Sequence, residues 1–470
     1  MANIGREPSK PYHGNDPPTL VIRRKPNVGA PSKVAARLTS LSILGSGMPT
    51  TNEVFGITRD LPLNYVVRQA VDERLVNELS AGRHMVVYGS SKQGKTSLRK
   101  HCLKEDDYVL VQCSNRSDLA DLHSNILKRA GFELTQSIKK SVSGKNKISA
   151  KFGAALAGIG INLEGEKERS SGVDVTTNPL ELDPEDVNDV IAALKSISFK
   201  KFIVLEDFHY LPYETQRDFA VALKAFHETS KITFIIVGVW LEDNRLIVYN
   251  GDLTGRVISI NADKWSDQEL RQVIHDCGAL LGVSFHPTFI DSLLAGCLDS
   301  VYLVQEVCRR TCLRNDVHET VFDGRVLGEG ADVNALVKEV VDEQSARYTS
   351  FLDNFADGFQ TTELEMHRWL LYPILTAKNH ELENGLRYRD IREIMHMCHP
   401  RKESLNVGNL TQALQSAASL QTKKNIMPIV IDYDQTGKKL NIVDKGFLIW
   451  LNHQNIPELM TDLGIAVDAK

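Results

Sequence analysis

The sequence predicts an α/β protein: a parallel sheet covered by helices on both faces, then an all-helical stretch, then a smaller unit of three helices and a two-stranded hairpin. Three observations predict it. Short apolar runs rich in β-branched residues at 85–88, 108–113, 202–205 and 232–237 alternate with helical stretches, and such alternation makes a parallel sheet buried on both sides. A glycine-bounded loop follows the first run at once, and residues 266–316 then read as helical throughout.

The chain has 470 residues, which at about 100–200 residues per domain suggests two to four domains. Hydrophobic residues at 42% and charged residues at 24% are ordinary for a globular chain. Lys and Arg number 55 against 60 Asp and Glu, a net charge of −5. That excludes a generically basic nucleic-acid coat, so any such surface must be a local patch. Seven cysteines without CxxC spacing point to a reducing, cytoplasmic setting. The N-terminus has no apolar run of the secretory kind. The longest uncharged apolar stretch, 152–163, is too short to span a bilayer, so no membrane partner is expected.

The segments follow in order. Residues 1–50 are expected to be a disordered basic tail, with Arg6, Lys10, Arg23, Arg24, Lys25, Lys33 and Arg37 outweighing Glu7 and Asp16. Residues 65–80 carry Val66, Val67, Ala70, Val71 and Leu75 at helical spacing. The core is expected over 51–262, interrupted by an insertion at 132–178 that reads as a β-hairpin standing out of it. Five lysines lead into this insertion's glycine-rich middle, and Glu164, Glu166 and Glu168 follow; it is a candidate contact for a partner or nucleic acid. Ser266 with Glu269 forms a capping box opening the helical lid, 263–320. A linker helix over 321–358 leads to the last unit, 359–470.

The chemistry lies in the first loop. Gly89-Ser90-Ser91-Lys92-Gln93-Gly94-Lys95-Thr96 matches Gly-x4-Gly-Lys-Ser/Thr between a strand and a helix, and Ser97 follows in that helix. The glycines let backbone N–H groups turn inward and cradle phosphate at a helix N-terminus. Lys95 reaches the β and γ phosphates and Thr96 ligates Mg²⁺. An acidic partner is needed from a neighbouring strand, and Phe202-Ile-Val-Leu-Glu206-Asp207 supplies two carboxylates. Their order is inverted from the usual one. Glu206 then takes the metal and Asp207, with its shorter side chain, orients the attacking water, so hydrolysis is expected but slow.

On these residues the chain resembles the AAA+/STAND superclass of P-loop ATPases, especially the initiator-like branch with a helical lid and a winged-helix domain, over roughly residues 50–455. The resemblance implies ATP and Mg²⁺ as ligands and hydrolysis to ADP and phosphate. It implies that Tyr65-Val-Val-Arg68 is the box over the adenine, with Arg68 at the nucleotide. Gly251-Asp-Leu-Thr-Gly-Arg256 occupies the arginine-finger position, so Arg256 acts on ATP held by a neighbouring copy, and a homo-oligomer is expected. Two features depart from the pattern. The 232–238 strand is followed by Val239 and Trp240 where an Asn or Thr should touch the γ-phosphate, leaving Asn244 as the candidate. The lid helix has no arginine at its start, since Arg309 and Arg310 come about two turns late. Weakened sensors suit a nucleotide-held switch better than a fast motor.

In the last unit, helices at 361–377, 388–398 and 407–421 precede two alternating segments around the turn 434–437, which looks like a winged helix. Such a domain docks a helix in the major groove of double-stranded DNA. Arg387, Arg389, Arg392, Lys423, Lys424, Lys438 and Lys439 are the phosphate-contact candidates. The unit is not basic overall, so DNA docking and a protein-docking wing both remain open, with an effector protein as the other partner. The alternatives to a plain switch are an initiator-like DNA loader, as in mobile-element targeting, and a protein-sensing scaffold with little turnover, as in antiphage defence. His396, Cys398 and His399, and Cys308 with Cys312, lack zinc-like spacing and read as core.

Overall fold

The computed structural model describes residues 47–56, 61–140, 146–152, 180–360 and 362–465. Of the basic tail expected over 1–50, residues 1–46 lie outside them, as does the glycine- and glutamate-rich run 153–178.

The first part runs α1 (Thr51–Phe55), α2 (Gln69–Ser80), β1 (His84–Tyr88), α3 (Lys95–Cys102), β2 (Tyr108–Gln112) and α4 (Leu119–Arg129). Then come β3 (Phe132–Lys140), β4 (Asn146–Phe152), β5 (Leu180–Leu182), α5 (Val187–Ser196), β6 (Phe202–Glu206), α6 (Tyr213–Thr229), β7 (Phe234–Gly238), α7 (Arg245–Tyr249) and β8 (Val257–Asn261). Five strands form one parallel sheet in the order β2-β6-β7-β1-β8. Successive side chains of a strand point to opposite faces, and both faces here are apolar. Val86, Ile203, Leu205, Phe234 and Ile236 meet α4, α5 and α6 on one side. Met85, Val87, Val204, Ile235 and Val237 meet α2 and α3 on the other. This two-sided burial is why the strands read as continuous apolar runs rather than alternating ones.

The insertion begins as the expected antiparallel pair, β3 with β4, but β5 joins β4 as a third strand. It does not simply stand out: Phe132, Ala150 and Leu182 are buried in the same core as α4–α6. The apolar side of this small sheet needs cover, and those helices provide it.

The helical part comprises α8 (Asp267–Leu281), β9 (Ser284–Phe285), α9 (Pro287–Gly296), α10 (Val301–Arg314), β10 (Val326–Leu327), α11 (Val333–Asp342) and α12 (Ser345–Asp357). The capping box at α8 forms, with Ser266 N–H donating to Glu269 Oε2 at 2.8 Å. The single linker helix does not. Its apolar stripes serve two partners: Val333, Leu336 and Val340 pack toward the lid, Tyr348, Phe351 and Phe355 toward the C-terminal unit, and the chain breaks between them at Glu343–Gln344.

The C-terminal unit contains α13 (Met366–Thr376), α14 (Asn379–Asn384), β11 (Leu386–Arg387), α15 (Tyr388–Cys398), α16 (Val407–Gln415), α17 (Ala417–Lys423), β12 (Ile431–Asp434), β13 (Lys439–Ile442), α18 (Lys445–Leu451) and α19 (Ile456–Asp462). The helix expected over 407–421 is two, α16 and α17, meeting at Ser416, whose hydroxyl pairs with His367 Nε2 at 3.0 Å. Three helices and the sheet β11-β13-β12 make a winged helix. Cys308, Cys312 and His399 are buried. Among the described residues no helix is long and apolar enough to cross a membrane.

Candidate nucleotide site

The loop 89–96 leaves β1 at the carboxyl end of the sheet and enters α3, the place where open parallel sheets bind ligands. Gly94 caps α3 at φ +80°. Gly89 stands at φ +147°, and a Cβ there would lie 2.8 Å from the Asp263 backbone nitrogen, so no side chain is tolerated. Asp263, just past β8, accepts from Ser90 N–H at 2.8 Å and pins the loop's entrance.

Lys95 Nζ donates to Gly89 O at 3.0 Å and Ser90 O at 2.6 Å. Burial pushes its pKa down to about 8, against the pull of the Asp263, Asp207 and Glu206 carboxylates. Thr96 and Ser97 fill the first turn of α3, and Thr96 Oγ1 donates to Glu206 Oε1 at 3.1 Å. Glu206 ends β6 beside Gln112 of β2. Burial raises its carboxyl pKa, while Arg99 and the Thr96 hydrogen bond hold it down. Arg99 Nε lies 3.3 Å from Glu206 Oε2. Asp207 sits in the left-handed region at φ +57°, and its Oδ2 accepts from Gln112 Nε2. Burial raises its pKa also, opposed by that bond and by Lys95.

Arg68 is 1% exposed at the start of α2. Its guanidinium donates to Ala262 O at 2.8 Å and lies 4.3 Å over Trp265, whose indole N–H donates to Gln93 O at 3.4 Å. Arg68 therefore reaches the loop through Trp265. Tyr65 and Asp72 hold the same corner, with the phenol donating to Asp72 at 2.8 Å.

The C-terminal unit closes over the loop's far side. Ser91 N–H donates to Val443 O at 3.1 Å, and Lys445 Nζ lies 3.6 Å from Asp263. Behind β7, Arg245 pairs with Glu242 at 3.1 Å and with the buried Asp432 of β12, while Thr436 donates to Glu242 at 2.9 Å. The end of β7 cannot carry a polar sensor side chain. Trp240 packs over Gly238 so tightly that a Cβ would collide with its ring. Asn244 is exposed at the start of α7.

Arg256 lies at the opposite end of the sheet. Its carbonyl accepts from His84 N–H where β1 begins, whereas the phosphate loop follows where β1 ends. Its guanidinium pairs with Glu228 at 2.8 Å and with Asp252 O. It cannot reach its own chain's loop. Of the wing candidates, Arg387 is paired in register with Lys439, and Lys438 O accepts from Tyr388 N–H, so these three lie together with Arg389 at one end of the small sheet. Lys423 and Lys424 end α17 instead, with Lys423 5.2 Å over Phe359.

Arg99, Gln112, Asp263 and Trp265 were missed as site residues. Gln112 and Asp263 follow the rule that ligands gather at the carboxyl ends of parallel strands, and Arg99 is one turn beyond Thr96. Only Trp265 had no signal.

The residues fit a Mg²⁺–nucleotide. Ser90 Oγ is buried without a hydrogen-bond partner, and the glycine cradle opens onto a lysine, a hydroxyl and a carboxylate. Sheet order, phosphate loop and acidic strand end together define a P-loop NTPase fold, here followed by a helical lid and a winged helix. The chain is similar to a Walker-type ATPase of Pyrococcus abyssi, with 13% identity over 85% of this chain and 99% of that one, at a TM-score of 0.47. It is similar to the Orc1 protein of Aeropyrum pernix, solved in complex with DNA, with 12% identity over 86% and 96% and a TM-score of 0.41. A STAND protein with a tetratricopeptide repeat sensor from Pyrococcus horikoshii gives 13% identity over 85% of this chain and 45% of that one, at 0.35. These likenesses concern the fold alone. No family model matches the chain, and no curated protein matches it in sequence.

Proposed function

We propose that the protein binds ATP with Mg²⁺ and hydrolyses it slowly to ADP and phosphate, as a nucleotide-controlled switch that assembles with copies of itself. The observation that supports this best is the convergence of Lys95, Thr96 and Glu206 at one helix start. The loop's backbone N–H groups and Lys95 bind and orient the triphosphate, with Gly89 and Gly94 permitting the close approach. Thr96 and Glu206 would hold Mg²⁺, which neutralises phosphate charge. Asp207, fixed by Gln112, orients the attacking water and accepts its proton. The raised carboxyl pKa there makes it a better base than a free aspartate. Arg256 leaves Glu228 to face the nucleotide of a second copy.

Two substitutions test the hydrolysis. Lys95→Ala is expected to lose nucleotide binding, and Asp207→Asn to keep binding while losing turnover by about 10²-fold or more. Equal turnover in Asp207→Asn and the parent would overturn the assignment of the base.

The basic end of the wing favours a second reading, DNA contact. Arg387, Arg389, Lys438 and Lys439 lie together, and Lys438 is exposed. If they meet phosphates, log affinity for duplex DNA falls with log salt by about 0.9 per phosphate contacted, and Lys438→Glu with Lys439→Glu flattens that slope. Salt-independent binding, or none, leaves a protein as the wing's partner.

A further inference from the structure

The residues between the two glycines of a phosphate loop are those the motif leaves open, and in this chain the last two, Lys92 and Gln93, reach the lid with their side chains. Gln93 is 1% exposed. Its Nε2 donates to Asp299 O at 3.3 Å and its Oε1 accepts from Val301 N–H at 3.4 Å, so one amide grips the turn that opens α10 on both sides. That turn is strained: Leu298 and Asp299 stand at φ +48° and +55°, consecutive left-handed residues that are not glycine. Lys92 is left-handed as well, at φ +60°. Its ammonium lies 4.0 Å over the Tyr302 ring and 3.3 Å from Gln344 Oε1, at the break between α11 and α12. The arginines of α10 pair within the helical part, Arg309 and Arg310 with Glu306, Arg310 and Arg314 with Glu339, and Arg310 also with Glu343 at the α11–α12 break. The lid is thus attached to the loop by the loop's own side chains.

We propose that Gln93 and Lys92 are positioning residues that carry nucleotide occupancy from the phosphate loop to the lid and to the α11–α12 break. The inference rests on the nucleotide reading above. Phosphate fixes the peptide planes of 92–95 through their N–H groups. The two side chains on those planes hold the lid turn and Gln344, so any change of loop geometry is delivered there. Left-handed residues other than glycine persist only where surrounding contacts hold them, and the Gln93 amide supplies two of those contacts, so a shift of Gln93 bears directly on the turn. The chain onward from Gln344 is α12, which packs into the C-terminal unit.

The test is amide hydrogen exchange on the full chain, with and without ATP and MgCl₂, beside the affinity for a fluorescent ATP analogue. In the parent protein ATP is expected to change exchange at Val301–Val304 and at Arg347–Tyr348 by about tenfold. Gln93→Ala should remove the change at α10. Tyr302→Leu, outside the phosphate site, should remove the change at Arg347–Tyr348 and leave ATP affinity unaltered. Lys92→Ala should lose the change at Arg347–Tyr348 whatever its ATP affinity, and Lys92→Arg, which also stacks on tyrosine, should keep it. Parent-like responses in Gln93→Ala and Tyr302→Leu would overturn the proposal. So would loss of ATP binding in Gln93→Ala as complete as in Lys95→Ala, since that makes Gln93 a binding group. Absence of ATP binding by the parent would instead refute the nucleotide reading itself.

Discussion

Lys95 is the residue on which the proposed function turns, and its ionisation makes the reading testable. Burial holds its pKa to about 8 while three carboxylates pull it upward. A triphosphate would raise that pKa further, so binding takes up a proton wherever the free lysine is neutral. Affinity for ATP is therefore expected to be flat below about pH 8 and to fall about tenfold per unit above it, within the range where the complex keeps its proton. Titration calorimetry from pH 7 to 9.5 checks this, and a flat profile would refute it. Most of the site was legible at this scale. Gly89, Gly94, Lys95 and Thr96 are named by spacing alone because a phosphate cradle needs those residue types in that order. Trp265 was not legible, because nothing in the motif requires an indole beneath the Arg68 guanidinium.

At the scale of elements, the strands were the most legible feature because burial on both faces leaves unbroken apolar runs. Joints between helices were less so. The linker and the 407–421 segment each carry one helical periodicity, and only the direction of packing shows that each is two helices. The contact between α7 and β12 had no local signal at all. Arg245 and Asp432 are both buried, at 6% and 2% exposure. Removing one partner of such a pair leaves an uncompensated charge, which typically costs about 3–5 kcal/mol, whereas apolar replacement of both is often neutral. Arg245→Met, which strands both Glu242 and Asp432, is thus expected to lower the unfolding midpoint substantially, and adding Asp432→Leu and Glu242→Gln to recover most of it. Denaturation of the two variants beside the parent decides the matter; equal loss in both would show that the pair's charge is not the cause.

At the scale of the whole molecule, lid and C-terminal unit share one hydrophobic core that continues to α1, while the sheet has cores of its own. Arg256 faces away from its own chain's loop, so the finger role proposed for it requires another copy. Mass by light scattering is expected to grow with ATP–Mg²⁺ in the parent and not in Lys95→Ala. Arg256→Ala should then lose about a thousandfold or more in assembled turnover. A monomer under every condition would remove the finger assignment and leave Arg256 as the surface partner of Glu228.

The sequence by itself determined the parallel sheet, the phosphate loop, the two carboxylates and the existence of a winged unit, because each is written in residues close together in the chain. Loop spacing, strand hydropathy and capping boxes are local physics. Only the tertiary structure decided that the C-terminal unit lies against the phosphate loop, that a loop glutamine holds the lid, and that the Trp240 ring packs over Gly238. Gln93 and Val301 are 208 residues apart, and Arg245 and Asp432 are 187 apart. Contacts of that separation depend on which apolar faces find one another once the separate elements have formed, and no local pattern records that choice.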